Sequence, residues 1–274
     1  MKKLNDVIIH NGVPFLVAFG FYYFDAPWYI AVFVFLSAVY WYGPVLVYLR
    51  QRMPTVPSLN PLGPESSLPT AHQSFFDSSV PLLQGVGFVH LGYCVNSGEK
   101  QLISGSVALL QHQETSDLAH LLTATKEGIA SAAETIAFSR IRNNNSRIWT
   151  SRHTIQSPFP PNPNDSVLKL DGHVDLLDLW YVHQARVSAD HGAIRNAIVT
   201  DAFHFQMEME KESLRKNLAS GLWQQDEQPG FLRPTPKGAV LMCLRMLPPW
   251  KQIARIRARL QMRHYLRVSH DSKI

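Results

Sequence analysis

From Val13 to Leu49 the chain carries a single formal charge, Asp25; beyond Arg50 apolar and polar positions are mixed throughout. Trp28 to Leu49 is 22 residues without a formal charge, followed at once by Arg50 and Arg52. As a helix it would be roughly 33 Å long, enough to cross the hydrocarbon of a bilayer. It has no polar face, so the pattern predicts a transmembrane helix, kinked near its end by Pro44. The apolar stretch before it, 7–24, contains His10, Asn11 and Gly12 and supports two readings. One is a first span that turns back at Asp25-Ala26-Pro27; the other is a helix lying at the interface. Six of the nine residues 21–29 are Phe, Tyr or Trp, and amphipathic rings suit a membrane–water boundary. Lys2 and Lys3 on one side and Arg50 and Arg52 on the other put both ends of the hairpin in the cytoplasm. No small-residue cleavage site follows the first apolar run, so the segment reads as a retained anchor rather than a signal peptide.

Residues 54–84 begin as a linker, with Pro54, Pro57, Pro61, Pro64 and Pro69 excluding continuous helix, and end as a short helix over 71–83 with Thr70 as its cap. Runs rich in β-branched and aromatic residues follow at 88–95, 102–111, 118–125, 135–142 and 147–152. Short polar turns such as Asn143-Asn144-Asn145-Ser146 separate them, which predicts hairpins and an antiparallel sheet of four or five strands. Over 135–142 the alternation puts Ile136, Phe138, Arg140 and Arg142 on one face. With Arg147, these arginines read as a solvated strand face or an anion-binding edge. His90 and Cys94, four apart on one strand, are expected on the same side about 13 Å apart, too far for a nucleophile and its base.

Val174, Leu177, Tyr181 and Ala185 mark a broad apolar stripe and a central helix running to Asp190. A second helix over 198–218 carries Phe203, Met207, Leu214 and Leu218 on one side and a Glu212–Lys216 pair on its surface. The tail, 237–274, begins apolar and turns basic. From Trp250 it predicts an amphipathic helix with Trp250, Ile253, Ile256 and Leu260 on one side and Lys251, Arg255, Arg259 and Arg263 on the other. The expected fold class is α+β: an N-terminal transmembrane helical hairpin, then a soluble antiparallel sheet packed against helices. The expected divisions are an anchor (1–53), a proline-rich linker with a short helix (54–84), an α+β domain (85–236) and a basic C-terminal helix (237–274).

Charge sharpens the last division. Residues 54–190 hold twelve acids and eight bases, whereas 237–274 hold nine bases and one acid. Such asymmetry draws anionic partners. The two cysteines, Cys94 and Cys243, lie in apolar surroundings and read as buried thiols; they cannot furnish a Cys-rich metal site. Neither glycine-rich nucleotide motif is present, and no cofactor or metal is implied. His173, Asp175, Asp178 and His183 are the densest group of acid–base residues. Their spacing matches no metal motif, and helix capping accounts for acids in a first turn.

The pattern therefore points to a non-catalytic role. The expected protein is an accessory, scaffold or assembly component held in a bacterial cytoplasmic membrane, presenting its domain to the cytoplasm, with the bilayer and other membrane or cytoplasmic proteins as partners. One alternative is a membrane-associated hydrolase using the residues near the start of helix 174–190. Another is a sensor of anionic lipid or anions through Trp250, Lys251, Arg255, Arg259 and Arg263. Nucleic acid is not an expected partner, since no reading helix or aromatic platform accompanies the basic stripe.

Overall fold

Alternating apolar positions assemble seven strands into one sheet in strict sequence order. They are β2 (Leu59–Pro61), β3 (Phe88–Asn96), β4 (Ile103–His112), β5 (Leu118–Lys126), β6 (Ala133–Ile141), β7 (Arg147–His153) and β8 (Ser166–Asp171). The structure, a computed structural model, describes residues 28–55, 59–62, 67–96, 103–126, 133–143, 146–153, 164–171, 174–190 and 199–271. Neighbouring strands are antiparallel except β7 and β8, which run parallel. The proline-rich segment thus supplies an edge strand, where Pro61 costs no interior ladder bond.

Both faces of the sheet are covered. On one, Phe88, Leu110, Leu121, Phe138 and Leu170 pack with α2 (Thr70–Gln84) and α3 (Leu176–Ser188), joined by Ala258 of the C-terminal helix. On the other, Leu109, Leu118, Val107 and Cys94 meet Ala202, Phe203 and Met207 of α4 (Ala202–Ala219). On the outer side of α4, Glu212 and Lys216 pair at 3.5 Å. The helix α2 begins after Pro69, with no side-chain cap from Thr70. A β-bulge between His90 and Gly92 shifts the register of β3. His90 then pairs with Leu110, and Cys94 with Val107, residues that belong to opposite faces. The expectation that His90 and Cys94 share a side fails because the bulge inserts one extra residue between them.

The chain divides into two compact units, 1–53 with 218–250 and 54–217 with 251–274. In the first, α1 (Trp28–Arg50) packs against α5 (Pro236–Met246), beside a small sheet of β1 (Met53–Pro54), β10 (Phe231–Pro234) and β9 (Trp223–Gln225). Among the described residues no helix is long and apolar enough to cross a membrane. This overturns the transmembrane hairpin, and with it the integral-membrane placement. The helix itself forms over Trp28–Arg50, but its C-terminal half is engaged by protein. A Cβ added at Gly43 would lie 3.2 Å from Cys243 Sγ, and the Arg233 guanidinium sits 5.7 Å over the Tyr48 ring. Arg52, read as a membrane-flanking charge, pairs with Asp226. A helix apolar all round is also what a protein-packed helix looks like. The first apolar stretch, 7–24, lies outside the described residues.

Thr235 caps α5, its hydroxyl accepting from Gly238 N at 3.1 Å, while Thr235 N donates to Leu222 O at 2.9 Å. A Cβ at Gly238 would land on that Leu222 carbonyl. Gly238→Ala is therefore expected to push α5 off the β9 turn at a cost of about 1–3 kcal/mol. Hydrogen exchange at the Thr235 and Ala239 amides should accelerate; unchanged protection would show that α5 shifts without loss.

Candidate docking face on the C-terminal helix

The last helix, α6 (Trp250–Asp271), packs on the core face of the sheet, where a buried polar chain also runs. Alternation puts Asp117 and Arg140 on the same face as Phe138, which is the core face. There the Arg140 guanidinium grips the Asp117 carboxylate with both Nε and Nη2, the latter at 2.6 Å, and the Thr115 hydroxyl donates to Asp117 Oδ2 at 2.7 Å. His183 Nε2 lies 3.4 Å from Asp117 Oδ1, His183 Nδ1 is 3.0 Å from the Thr150 hydroxyl, and Arg186 Nη1 donates to Thr150 Oγ1 at 2.6 Å.

One proton arrangement satisfies every group. Arg186 donates to Thr150, Thr150 to His183 Nδ1, and neutral His183 donates from Nε2 to Asp117. Burial holds the His183 pKa below its ordinary value, with Arg186 and Arg140 adding to the effect and Asp117 opposing it. Burial by itself would raise the Asp117 pKa; hydrogen bonds from Arg140 and His183 outweigh it and hold the carboxyl at about 2.

Arg186 also donates to Trp149 O and to Ser166 O and Oγ. Burial lowers its pKa to about 10, with nearby Tyr265 of α6 opposing the shift. Ala258, Met262, Tyr265 and Leu266 of α6 pack on the core. At about 100° per residue these four positions share one face of the helix.

The opposite face is open. Ile253, Ile256 and Leu260 are 36%, 57% and 59% exposed. They point about 180° away from the docked row. Sequence reasoning found two sides of this helix but not which one docks; the row at Ala258, Met262, Tyr265 and Leu266 took the contact. Arg257, Arg263 and Arg267 adjoin the open row and are exposed; Arg255 and Arg259, also exposed, and half-buried Lys251 point toward the docked side. Trp250, at the helix start, is 55% exposed. No acid occurs between Trp250 and His270.

The acid–base candidates do not converge. Asp175 is the N-cap of α3, accepting from Leu177 N at 2.8 Å, and is exposed, as is Asp178. His183 is fully buried and committed to Thr150 and Asp117, while His173 lies outside the described residues. Sequence reasoning overlooked two tighter histidine–serine pairs. His72 Nδ1 is 2.7 Å from Ser106 Oγ, and His153 Nε2 is 2.7 Å from Ser151 Oγ, with Thr135 Oγ1 3.2 Å from His153 Nδ1. The distances suit a nucleophile and its base, but Ser106 is 1% and Ser151 0% exposed. Neither hydroxyl is open to a substrate.

Arg140 and Arg142, read as a solvated face or an anion-binding edge, are instead paired: Arg140 with Asp117, and Arg142 with Asp190 at 2.7 Å. Arg147 is largely buried, and burial lowers its pKa. Both cysteines are buried free thiols, and burial raises the pKa of each, which keeps them protonated and poor nucleophiles. Among the described residues no three His, Cys, Asp or Glu side chains group as metal ligands. The chain matches no protein-family profile, no curated protein and no solved structure.

Proposed function

We propose that this protein is a non-catalytic accessory or assembly component that docks an anionic partner through the outward face of α6. The observation that carries the reading is the exposure of Ile253, Ile256 and Leu260 on a helix already docked by its other side. Aliphatic side chains set out in a row cost free energy in water until something covers them. The arginines around the row select against cationic partners and favour acidic ones. The seven-stranded sheet and its buried Asp117 chain serve as the rigid mount, because Tyr265 and its neighbours fix the rotation of the helix about its own axis.

The test is a substitution on the open row. Ile256→Asp is expected to leave the unfolding free energy within about 0.5 kcal/mol of wild type, since the side chain makes no core contact. A partner identified by co-purification with the full chain should then bind the purified variant at least tenfold more weakly, measured by titration. Asp178→Asn, on the exposed side of α3, should bind normally. Equal binding by wild type and Ile256→Asp would rule out α6 as the docking element.

A further inference from the structure

We infer that the groove between α1 and α5 binds a single-chain amphiphile with an anionic head, a free fatty acid being the simplest, and that Arg233 receives the head. The groove measures about 520 Å³, inside the range of small-molecule sites. Tyr40, Val45 and Tyr48 line it from α1, and Ala239, Val240 and Cys243 from α5. Among the described residues its walls carry no charged side chain. Val45 and Val240 are 49% and 44% exposed, so covering this apolar surface is favourable. From Tyr40 to Tyr48 the helix rises about 12 Å, and packed helices stand roughly 8–10 Å apart. The room between them is long and one chain wide, which suits one acyl chain rather than the two of a phospholipid or a broad ring system.

The end at Tyr48 has a different character. The Arg233 guanidinium stands over the Tyr48 ring, and its Nε is buried with no hydrogen-bond partner among the described residues. A buried donor without an acceptor costs free energy. A carboxylate there would supply one in a charge-assisted bond. The acids close by leave that positive charge available. Asp226 is paired with Arg52. Glu227 lies 3.2 Å from Arg233 Nη1, but its side chain is 86% exposed, and water weakens such a pair. Residues 28–53 and 218–250, the described part of this compact unit, hold five bases (Arg50, Arg52, Arg233, Lys237 and Arg245) against two acids. A cationic head would be repelled, and an uncharged alkyl end would leave Nε without an acceptor. The site shares no residue with the docking face of α6.

The probe is laurate, titrated by calorimetry into the full chain below its micelle concentration. The comparison probes are dodecyltrimethylammonium, which has a tail of equal length and a cationic head, and vesicles of phosphatidylglycerol and phosphatidylcholine. Laurate should saturate one site per chain and bind at least tenfold more tightly than dodecyltrimethylammonium. Val240→Trp, which fills the groove from α5, should weaken laurate at least tenfold with an unchanged circular dichroism spectrum. Val45→Trp blocks the groove from α1 and serves if the first variant does not fold. Arg233→Gln should remove the preference for laurate while leaving dodecyltrimethylammonium unchanged. No saturable laurate binding, or binding indifferent to both tryptophan variants, would overturn the site. Equal affinity for the two heads, or a laurate preference that survives Arg233→Gln, would overturn the anionic head and the role of Arg233. Vesicles bound in place of laurate, with loss on Val240→Trp, would overturn the single-chain ligand. A dimer in light scattering that Val240→Trp dissociates would give the groove to a second copy of the chain and overturn the ligand.

Discussion

Replacing Asp117 by alanine is expected to destabilise the sheet domain by about 3–5 kcal/mol, the usual cost of removing one partner from a buried charge pair. Arg140 would remain 7% exposed with no carboxylate against its guanidinium, and Thr115 and His183 would each lose an acceptor. Such a loss is a large part of the roughly 5–15 kcal/mol that holds a typical domain. Asp117→Asn, which keeps the shape and one acceptor oxygen, should fall between wild type and alanine. Urea unfolding followed by tryptophan fluorescence measures both, since Trp180 stacks 5.9 Å from His183. An alanine variant within about 1 kcal/mol of wild type would mean that water reaches Arg140 and that the chain is not a sealed mount.

The pH dependence of the same residue has a definite sign. Its folded pKa is about 2 against an ordinary 3.8. Its contribution, about 2 kcal/mol, is complete above the unfolded value and is lost as pH falls from 3.8 toward 2.

The second large effect lies on the other face of the sheet. His120 is 1% exposed between Ser139 and the ring of Trp149. Burial, together with the Arg147 charge, pulls its pKa from 6.5 to about 3, against the Gln206 hydrogen bond. Between those two values the unfolded chain holds a proton that the native protein does not, so stability rises with pH. The contribution is complete above pH 6.5 and is lost as pH falls from 6.5 to about 3, on the order of 5 kcal/mol in all. His72, His90 and His183, also lowered by burial, act in the same direction. Glu210, raised by burial, acts in the opposite one. His120→Gln is expected to flatten the profile of unfolding free energy against pH by about one proton over this window. The variant and wild type should differ most above pH 6.5 and converge at lower pH; parallel profiles would refute the buried neutral imidazole.

Much of the mount was legible beforehand. The strands at 118–125, 135–142 and 147–152 and the helices near 174–190 and 198–218 follow from periodicity, because a half-buried element must alternate with the pitch of its backbone. The pairing partner of Arg140 was half-visible. The alternation placed it with Ile136 and Phe138, and a guanidinium on a core face needs a carboxylate. Nothing local pointed to Asp117 in a polar turn more than twenty positions earlier, because the pair closes only when β5 and β6 come side by side. The bulge that turns Cys94 away from His90 adds one residue to one strand, which a period of two cannot register. The apolar run at 28–49 had the composition of a membrane span, and composition does not distinguish lipid from α5 as the surrounding medium.

By itself, the sequence determined the α+β class, the helical nature of 250–271 and the concentration of positive charge there, since these depend on residues close together along the chain. Tertiary structure alone decided which side of that helix packs on the core. It carries two apolar rows, Ile253/Ile256/Leu260 and Ala258/Met262/Tyr265/Leu266, and helical periodicity admits either one as the buried face. The second row took the core: Ala258 is 9% exposed, and Met262, Tyr265 and Leu266 pack against the same cluster as Phe138 and Trp180. That packing leaves the first row, with Arg257, Arg263 and Arg267 beside it, facing outward.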